Sequence, residues 1–393
     1  DNAPRFDHDP TTRESKGILI EEERTNNNKS SVYQNNFTGW TKSNFVNQEY
    51  SSETAPDGSS NVTLVSTDNA NTTHYAYISH SGAAFTGART ISAWFKKLGT
   101  TTYNPQLRIF GVGNGISYAN FVLTGDGTVN SGGSDTTAAT ITPYPNGWYR
   151  CTLSWNDSTS HYGGGIVISS NTSAELPTYT GDADITKGFL VYGFQDEAGA
   201  FPTSYIPTNG STATRGADIV RIMDDEFKDI FGTEFKEFTI VADYDNSDTV
   251  DGSTQALIDF WGESTGYTDR IQIFKDSHSP YHIEVRGIGN NNGLFANGVT
   301  SASSKAATQR FATSWSVNYS TSNAANRKWA FSFSGEAVDV ISDLTGTDVP
   351  ALTRLGIGNN PTRLDMSPGK LHFKRFMFYP KAVSDNQLRT LSS

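Results

Sequence analysis

Trp148-Tyr149-Arg150-Cys151-Thr152-Leu153-Ser154-Trp155 alternates strictly. Tyr149, Cys151, Leu153 and Trp155 fall on one face of an extended chain, and Trp148, Arg150, Thr152 and Ser154 on the other. Successive side chains of a strand point to opposite faces, so period two with one apolar side marks a half-buried strand of an antiparallel sheet. Pro145-Asn146-Gly147 just before it supplies a turn. The same pattern recurs on the N-terminal side at 90–95, 107–110 and 119–123, with Gly125-Asp126-Gly127 as another turn. It recurs on the C-terminal side at 238–244, 256–261, 270–274, 282–286, 310–315, 328–333 and 371–379. In the last run Leu371, Phe373, Arg375, Met377 and Tyr379 would share one face, and His372, Lys374, Phe376 and Phe378 the other. Many short strands at this spacing imply an all-β protein of two-sheet antiparallel sandwiches.

Composition agrees. Aromatics reach 12%, there are 36 glycines, and methionine is held to 3, which is the make-up of strands joined by polar turns. Two short helices are expected. Residues 224–231 open with acids that suit a helix N-terminus, and 384–391 begin with a capping box of Ser384 and Gln387.

The 393 residues allow two or three domains, and Phe201-Pro202-Thr203-Ser204-Tyr205-Ile206-Pro207-Thr208 favours two. Each proline fixes φ, removes a donor and keeps the preceding residue extended, so this stretch is neither helix nor central strand. It reads as a strap closing one domain. The expected organisation is an extended arm over 1–30, a first sandwich over 31–206, a linker strap over 207–218 and a second sandwich over 219–393. The arm's apolar patch, Ile18-Leu19-Ile20, is expected to dock on the first domain or on a neighbouring subunit.

A net charge of −11 argues against nucleic acid, whose phosphates need a basic stripe. It would also be repelled by an anionic membrane surface, and no apolar run approaches the roughly 18 residues of a membrane span. The single cysteine, Cys151, has no intrachain partner and is expected to be a buried, inert thiol of a protein made in a reducing cytosol. The chain starts at Asp1 rather than methionine, so it is expected to belong to something longer.

Several strings occur together in fixed order. They are Arg5-Phe6-Asp7-His8-Asp9-Pro10, Gly17-Ile18-Leu19-Ile20-Glu21-Glu22, Arg24-Thr25-Asn26, Ala55-Pro56-Asp57-Gly58, Gly147-Trp148-Tyr149-Arg150, the strap, and Thr214-Arg215-Gly216-Ala217-Asp218. This set resembles a group of bacteriophage virion proteins, found in tail fibres and other structural gene products, built of concanavalin A-like or laminin-G-like jelly rolls. The second half resembles laminin-G-like ends through Leu355-Gly356-Ile357-Gly358 and Gly369-Lys370-Leu371-His372-Phe373. The resemblance implies two tandem jelly rolls in a fibre, spike or surface decoration of a virion. Other virion proteins and host cell-surface glycans would be its partners, and the assembly would be a homo-oligomer, a trimer by analogy with fibre proteins.

The residues bear on three chemistries. Concanavalin-like glucanases carry Glu-x-Asp-x-x-Glu, or the same with one extra residue, because glycoside hydrolysis needs a nucleophile and an acid. Here Asp259 and Glu263 fit the bulged spacing, but the nucleophile position is Leu257, so catalysis is not expected. The seven histidines show no metal spacing. Calcium wants several oxygen ligands on one loop, and Asp243, Asp245, Asp248 and Asp251 are the candidates; Asp182, Asp184, Asp196 and Glu197 form a weaker acidic group. Glycan binding needs rings to stack on sugar faces and amides or carboxylates for hydroxyls. The candidates are Tyr103, Tyr118, Tyr162, Trp261, Tyr267 and Tyr281, read as exposed rings on loops, with Gln195 and Glu197.

Overall fold

In the computed structural model the alternation around Cys151 forms strand Tyr149–Asp157, and Tyr149, Cys151, Leu153 and Trp155 all enter the core. The structure describes residues 4–29, 31, 39–50, 52–78, 87–111, 117–157, 161–233, 237–245, 254–262, 270–275, 281–288, 294–303, 309–317, 327–341, 351–358 and 370–393. The side chains of 157, 161–162, 281–303, 317, 327 and 341 lie outside that description.

The fold is all-β with antiparallel sheets throughout the described residues. Two compact units result, and they are not consecutive in sequence. One comprises Pro10–Thr12 and Glu23–Gly216; the other comprises Asp1–Asp9, Arg13–Glu22 and Ala217–Ser393. The first sandwich is therefore an insertion within the second.

The inserted unit packs two six-stranded sheets. One runs Thr128–Gly132, Tyr118–Val122, Asn104–Gly111, His161–Ser169, Tyr75–Ile78, Trp40–Ser43. The other runs Thr136–Pro143, Tyr149–Asp157, Gly87–Lys97, Phe189–Ala198, Thr63–Thr67, Phe45–Glu49. Between them lie Phe95, Leu107, Phe121, Leu153, Ile166 and Phe194 with their neighbours. The unit's ends meet, because Arg24–Asn26 pairs with Ala213–Arg215.

The split unit has a seven-stranded sheet, ordered Phe6–His8, Ser15–Glu21, Lys370–Tyr379, Glu237–Asp245, Gln309–Val317, Arg327–Phe333, Asp339–Ile341. Facing it is a six-stranded sheet from Val220–Met223 through Arg354–Ile357, Gln255–Trp261, Arg270–Lys275 and Tyr281–Ile288 to Leu294–Ser303. The arm thus corrects the sequence expectation: it docks in the split unit. Ile18 pairs with Phe373 and Ile20 with Leu371, and Leu19 and Ile20 are buried. Its apolar patch pairs with Lys370–Tyr379, a strand about 350 residues further on, and no local pattern announces such a partner.

A second correction concerns the last strand. The register slips opposite Asp243 and Tyr244, leaving Lys374 as the extra residue of a bulge. One extra residue reverses the parity of every side chain beyond it. Leu371 and Phe373 therefore share the core with Phe376 and Phe378, while Met377 turns to the other face against Leu388 and Leu391 of the last helix. Both expected helices form, Asp224–Phe231 and Asp385–Leu391, the latter with the reciprocal capping box of Ser384 and Gln387.

The strings that carry the resemblance meet in space. Arg5 binds both Glu21, at 3.1 Å, and Asp218; Glu21 N donates to Asp218 Oδ2 at 2.8 Å, and Asp218 N donates to Glu21 O at 2.9 Å. This cluster fastens the split unit's chain where it leaves for the insertion and where it returns.

Candidate functional site

The strap decides which surface of the inserted unit stays open. Gln195 and Glu197 sit on strand Phe189–Ala198, just after a bulge at Gly193, whose φ is +61°. Glu197 accepts from Gln195 Nε2 at 2.7 Å, from Thr203 N at 3.0 Å and from Thr203 Oγ1 at 2.7 Å. Gln195 Oε1 accepts from Ile206 N at 2.7 Å. Asn26 donates to Ile206 O at 2.9 Å, and Thr208 closes onto Asn28 O and Ser31. Tyr205 packs edge-on against Trp94 and Tyr192, with centroids 5.8 and 5.3 Å away. Arg150 stacks over the Trp94 ring at 4.6 Å and donates to Thr203 O at 2.6 Å.

Gln195 and Glu197 were expected at a sugar site, and both have 0% exposure. Burial pushes the Glu197 carboxyl above its ordinary range, against the pull of nearby Arg24. Their polar atoms are used up in pinning the strap, so they form a clasp rather than a binding surface. The strap also reaches the polar face of Tyr149–Asp157 through the bond from Arg150 to Thr203 O.

The other sheet's outer face is different. Strand Tyr75–Ile78 sends Ala76 and Ile78 to the core and Tyr75 and Tyr77 outward. Asn104–Gly111, on the far side of His161–Ser169, sends Leu107 and Ile109 inward, leaving Gln106, Arg108 and Phe110 on the outer side. Phe110 lies between the tyrosines, stacked on Tyr77 at 4.7 Å and 12° and tilted against Tyr75 at 4.9 Å. Gly165, on the strand between, makes this possible: a Cβ there would lie 2.6 Å from Tyr77 Cβ and 2.7 Å from the Phe110 ring. Beside the rings, Arg108 stacks on Phe110 at 4.6 Å and is held by Glu175 at 2.7 Å. Gln106 binds Asn120 Oδ1 at 2.8 Å and Ala174 O at 2.9 Å. Tyr118 stands on the same side of the next strand, partly exposed. The result is an aromatic shelf edged by the Arg108–Glu175 pair, with Gln106 and Asn120 fully buried and bonded to Ala174 and Leu176.

Among the expected glycan residues, only Tyr118 has a described side chain on this face. Tyr103 is not an exposed loop ring; it is 8% exposed and packs on Tyr179 at 5.6 Å in the core. Trp261 is likewise buried, at 3%, on strand Gln255–Trp261. Tyr267 and the side chains of Tyr162 and Tyr281 lie outside the described residues. Sequence reasoning misses Tyr75, Tyr77 and Phe110, although Tyr75-Ala76-Tyr77-Ile78 alternates and places two rings on the face away from Ala76 and Ile78.

Of the calcium candidates, Asp248 and Asp251 lie outside the described residues. Asp243 is engaged by Arg310 at 2.6 and 3.0 Å and by Arg375 at 3.4 Å, so guanidinium groups occupy its oxygens. Asp245 continues the same strand, partly exposed. The weaker acidic group is dispersed. Asp182 and Asp184 surround Lys187 at 3.2 and 3.6 Å, Asp196 pairs with Arg89, and Glu197 belongs to the clasp. Among the described residues no three His, Cys, Asp or Glu side chains are placed to hold a metal. Leu257 faces the core, Asp259 is buried 3.6 Å from Arg270, and Glu263 lies outside the described residues.

No family model and no curated protein matches the chain. Among solved structures it is similar to the CBM40 of Ruminococcus gnavus IT-sialidase bound to α2,3-sialyllactose, at 12% identity and TM-score 0.34, over 45% of this chain and 97% of that one. It is also similar to the SAP-like pentraxin of Limulus polyphemus, at 10% identity and TM-score 0.29, over 40% and 70%. A third is the LG4-5 pair of mouse laminin α1, at 8% identity and TM-score 0.25, over 80% and 89%. Likeness at this level says nothing of a ligand for this chain.

Proposed function

We propose that the chain is a bacteriophage virion component, part of a fibre, spike or surface decoration, whose inserted unit binds host-surface glycans. The observation that carries the binding reading is the shelf of Tyr75, Phe110 and Tyr77 on the outer face of a sheet. These rings lie outside the sandwich core, Tyr75 and Tyr77 partly exposed and Phe110 covered between them, while a pyranose ring has an apolar face that stacks on such rings and hydroxyls that meet neighbouring polar groups. Arg108 and the partly exposed Glu175 stand beside the rings, where such hydroxyls would fall. The virion setting rests on the resemblance of the arm, turn and strap strings. A role without catalysis is supported by the apolar Leu257 at the glucanase nucleophile position.

The test is binding of the full chain to intact candidate host cells and to their extracted surface polysaccharide. Losing one ring–sugar stack should weaken binding about tenfold, roughly 1.4 kcal/mol, so Tyr77→Ala should show that drop. Asp225→Asn, at an exposed carboxylate of the split unit, should not. Equal binding by Tyr77→Ala and the parent would sink the shelf as the site. Absence of binding to every host surface would favour a purely architectural module.

A further inference from the structure

We infer that Glu175 sets the class of glycan the shelf takes: uncharged pyranosides, with uronates and other acidic sugars turned away. The selection rests on the shelf being the binding site, and concerns what decides its ligand. Charge on that face is sparse. Along the outer side of the sheet's strands, Arg108 is the only charged side chain among the described residues. Its guanidinium is already engaged. Nε and Nη2 donate to Glu175 Oε1 at 3.1 and 2.7 Å, Nη1 donates to Ile109 O at 3.1 Å, and the Phe110 ring lies 4.6 Å away. Only 11% of the Arg108 side chain meets solvent, against 34% for Glu175. Both bonds end on Oε1, which leaves Glu175 Oε2 as the acceptor beside the rings.

The carboxylate is positioned by its neighbours in the chain. Glu175 lies on the segment that leaves strand His161–Ser169 and bonds to the sheet's outer face. Ala174 O accepts from Gln106 Nε2 at 2.9 Å and from Asn120 Nδ2 at 3.3 Å, and Leu176 N donates to Gln106 Oε1 at 3.2 Å. The residues on both sides of Glu175 are therefore pinned by amides that are fully buried. Asn171 Oδ1 shapes the approach, accepting from Ser173 N at 2.8 Å and Ala174 N at 3.0 Å. An acceptor fixed in this way loses little freedom when a ligand donor arrives.

A sugar hydroxyl donates to a carboxylate in a charge-assisted bond, stronger than one between neutral groups. A uronate stacked on the same rings would instead bring a second negative charge close to Glu175, with Arg108 already neutralised. The adjoining sequence supplies no other cation of fixed charge. Residues 79–86, 112–116 and 158–160, which directly adjoin Tyr75–Ile78, Asn104–Gly111 and His161–Ser169, contain no Lys or Arg. The net charge of −11 acts in the same direction at longer range.

The test uses one acidic host-surface polysaccharide before and after chemical reduction of its carboxyl groups, which removes its charge and keeps its rings. At about pH 8, where an ordinary histidine is neutral, the full chain should bind the reduced polymer roughly tenfold more tightly than the native one. Added salt should narrow that gap, because it screens repulsion at an exposed carboxylate. Glu175→Gln should weaken binding of the reduced polymer about fivefold and strengthen binding of the native one. Asp225→Asn removes the same charge from an exposed carboxylate of the split unit and should leave the ratio as in the parent. Should Glu175→Gln fail to fold, the parent's preference and its salt response decide. Equal or tighter binding of the native polymer, still weakened by Tyr77→Ala, would overturn the selection and leave the shelf in place. A preference unchanged in folded Glu175→Gln would overturn the role of Glu175. Binding of neither polymer, or binding indifferent to Tyr77→Ala, would remove the shelf and the selection together.

Discussion

Gly17→Ala tests the assignment of the arm to the split unit. Gly17 has φ +89°, and an added Cβ would lie 2.8 Å from both the Phe373 carbonyl carbon and Lys374 Cα, and closer still to Phe373 O. All three are backbone atoms of the neighbouring strand, so no side chain can swing aside. The left-handed conformation alone costs an alanine roughly 1–2 kcal/mol. Releasing the arm instead would expose Leu19 and Ile20, at roughly 1.5–3 kcal/mol each. The loss should therefore lie between about 1 and 6 kcal/mol, with local separation of the strands the cheaper route. Hydrogen exchange followed by mass spectrometry reads this by segment. Exchange over Ser15–Glu21 and Lys370–Tyr379 should quicken by roughly tenfold or more, since 1.4 kcal/mol is a factor of ten. Tyr149–Asp157 and Phe189–Ala198, in the inserted unit, should keep their protection. Unchanged exchange over Lys370–Tyr379, or loss confined to the inserted unit, would refute the reasoning, because the arm would then be docked elsewhere.

Glu197→Ala should destabilise the inserted unit by roughly 3–5 kcal/mol, since Gln195 Nε2, Thr203 N and Thr203 Oγ1 would be left buried without their acceptor; a denaturant midpoint equal to the parent's would show the clasp to be dispensable. Asp7 is held at about 2, below its ordinary 3.8, because the bonds from His372 and the His8 amide outweigh the effect of burial. A lowered carboxylate stabilises the fold above its ordinary pKa and loses that contribution as pH falls through the folded value. Between about pH 4 and 2 the parent should thus lose stability more steeply than Asp7→Asn, which urea midpoints across that range can check. Cys151 is fully buried, and burial raises its thiol well above the usual range. It should react with a thiol reagent only at the rate of unfolding; rapid labelling of the folded protein would contradict its place in the core.

The arrangement of the candidate site was half legible. The alternation of Tyr75-Ala76-Tyr77-Ile78 and of Gln106-Leu107-Arg108-Ile109-Phe110 already separates core from outer side chains. It does not show that these strands flank a third with Gly165 between them, and only that adjacency brings Phe110 to 4.7 Å from Tyr77. Gln195 and Glu197 misled for the opposite reason. Polar side chains suggest solvent, yet here a chain segment several residues further on supplies the partners that make their burial affordable.

Alternation, turn residues and caps are local, so the sequence alone determined the all-β class, the course of Tyr149–Asp157, and both short helices. It also located the strap, because two prolines forbid regular structure wherever they stand. Tertiary structure decided what depends on distant partners. The arm became the edge of a sheet completed by Lys370–Tyr379, which made the first sandwich an insertion in the second. The bulge at Lys374 reversed the faces of that strand, a one-residue event set by its pairing with Glu237–Asp245. Strand order, too, is a choice among long-range pairings, and periodicity carries no record of which neighbour wins.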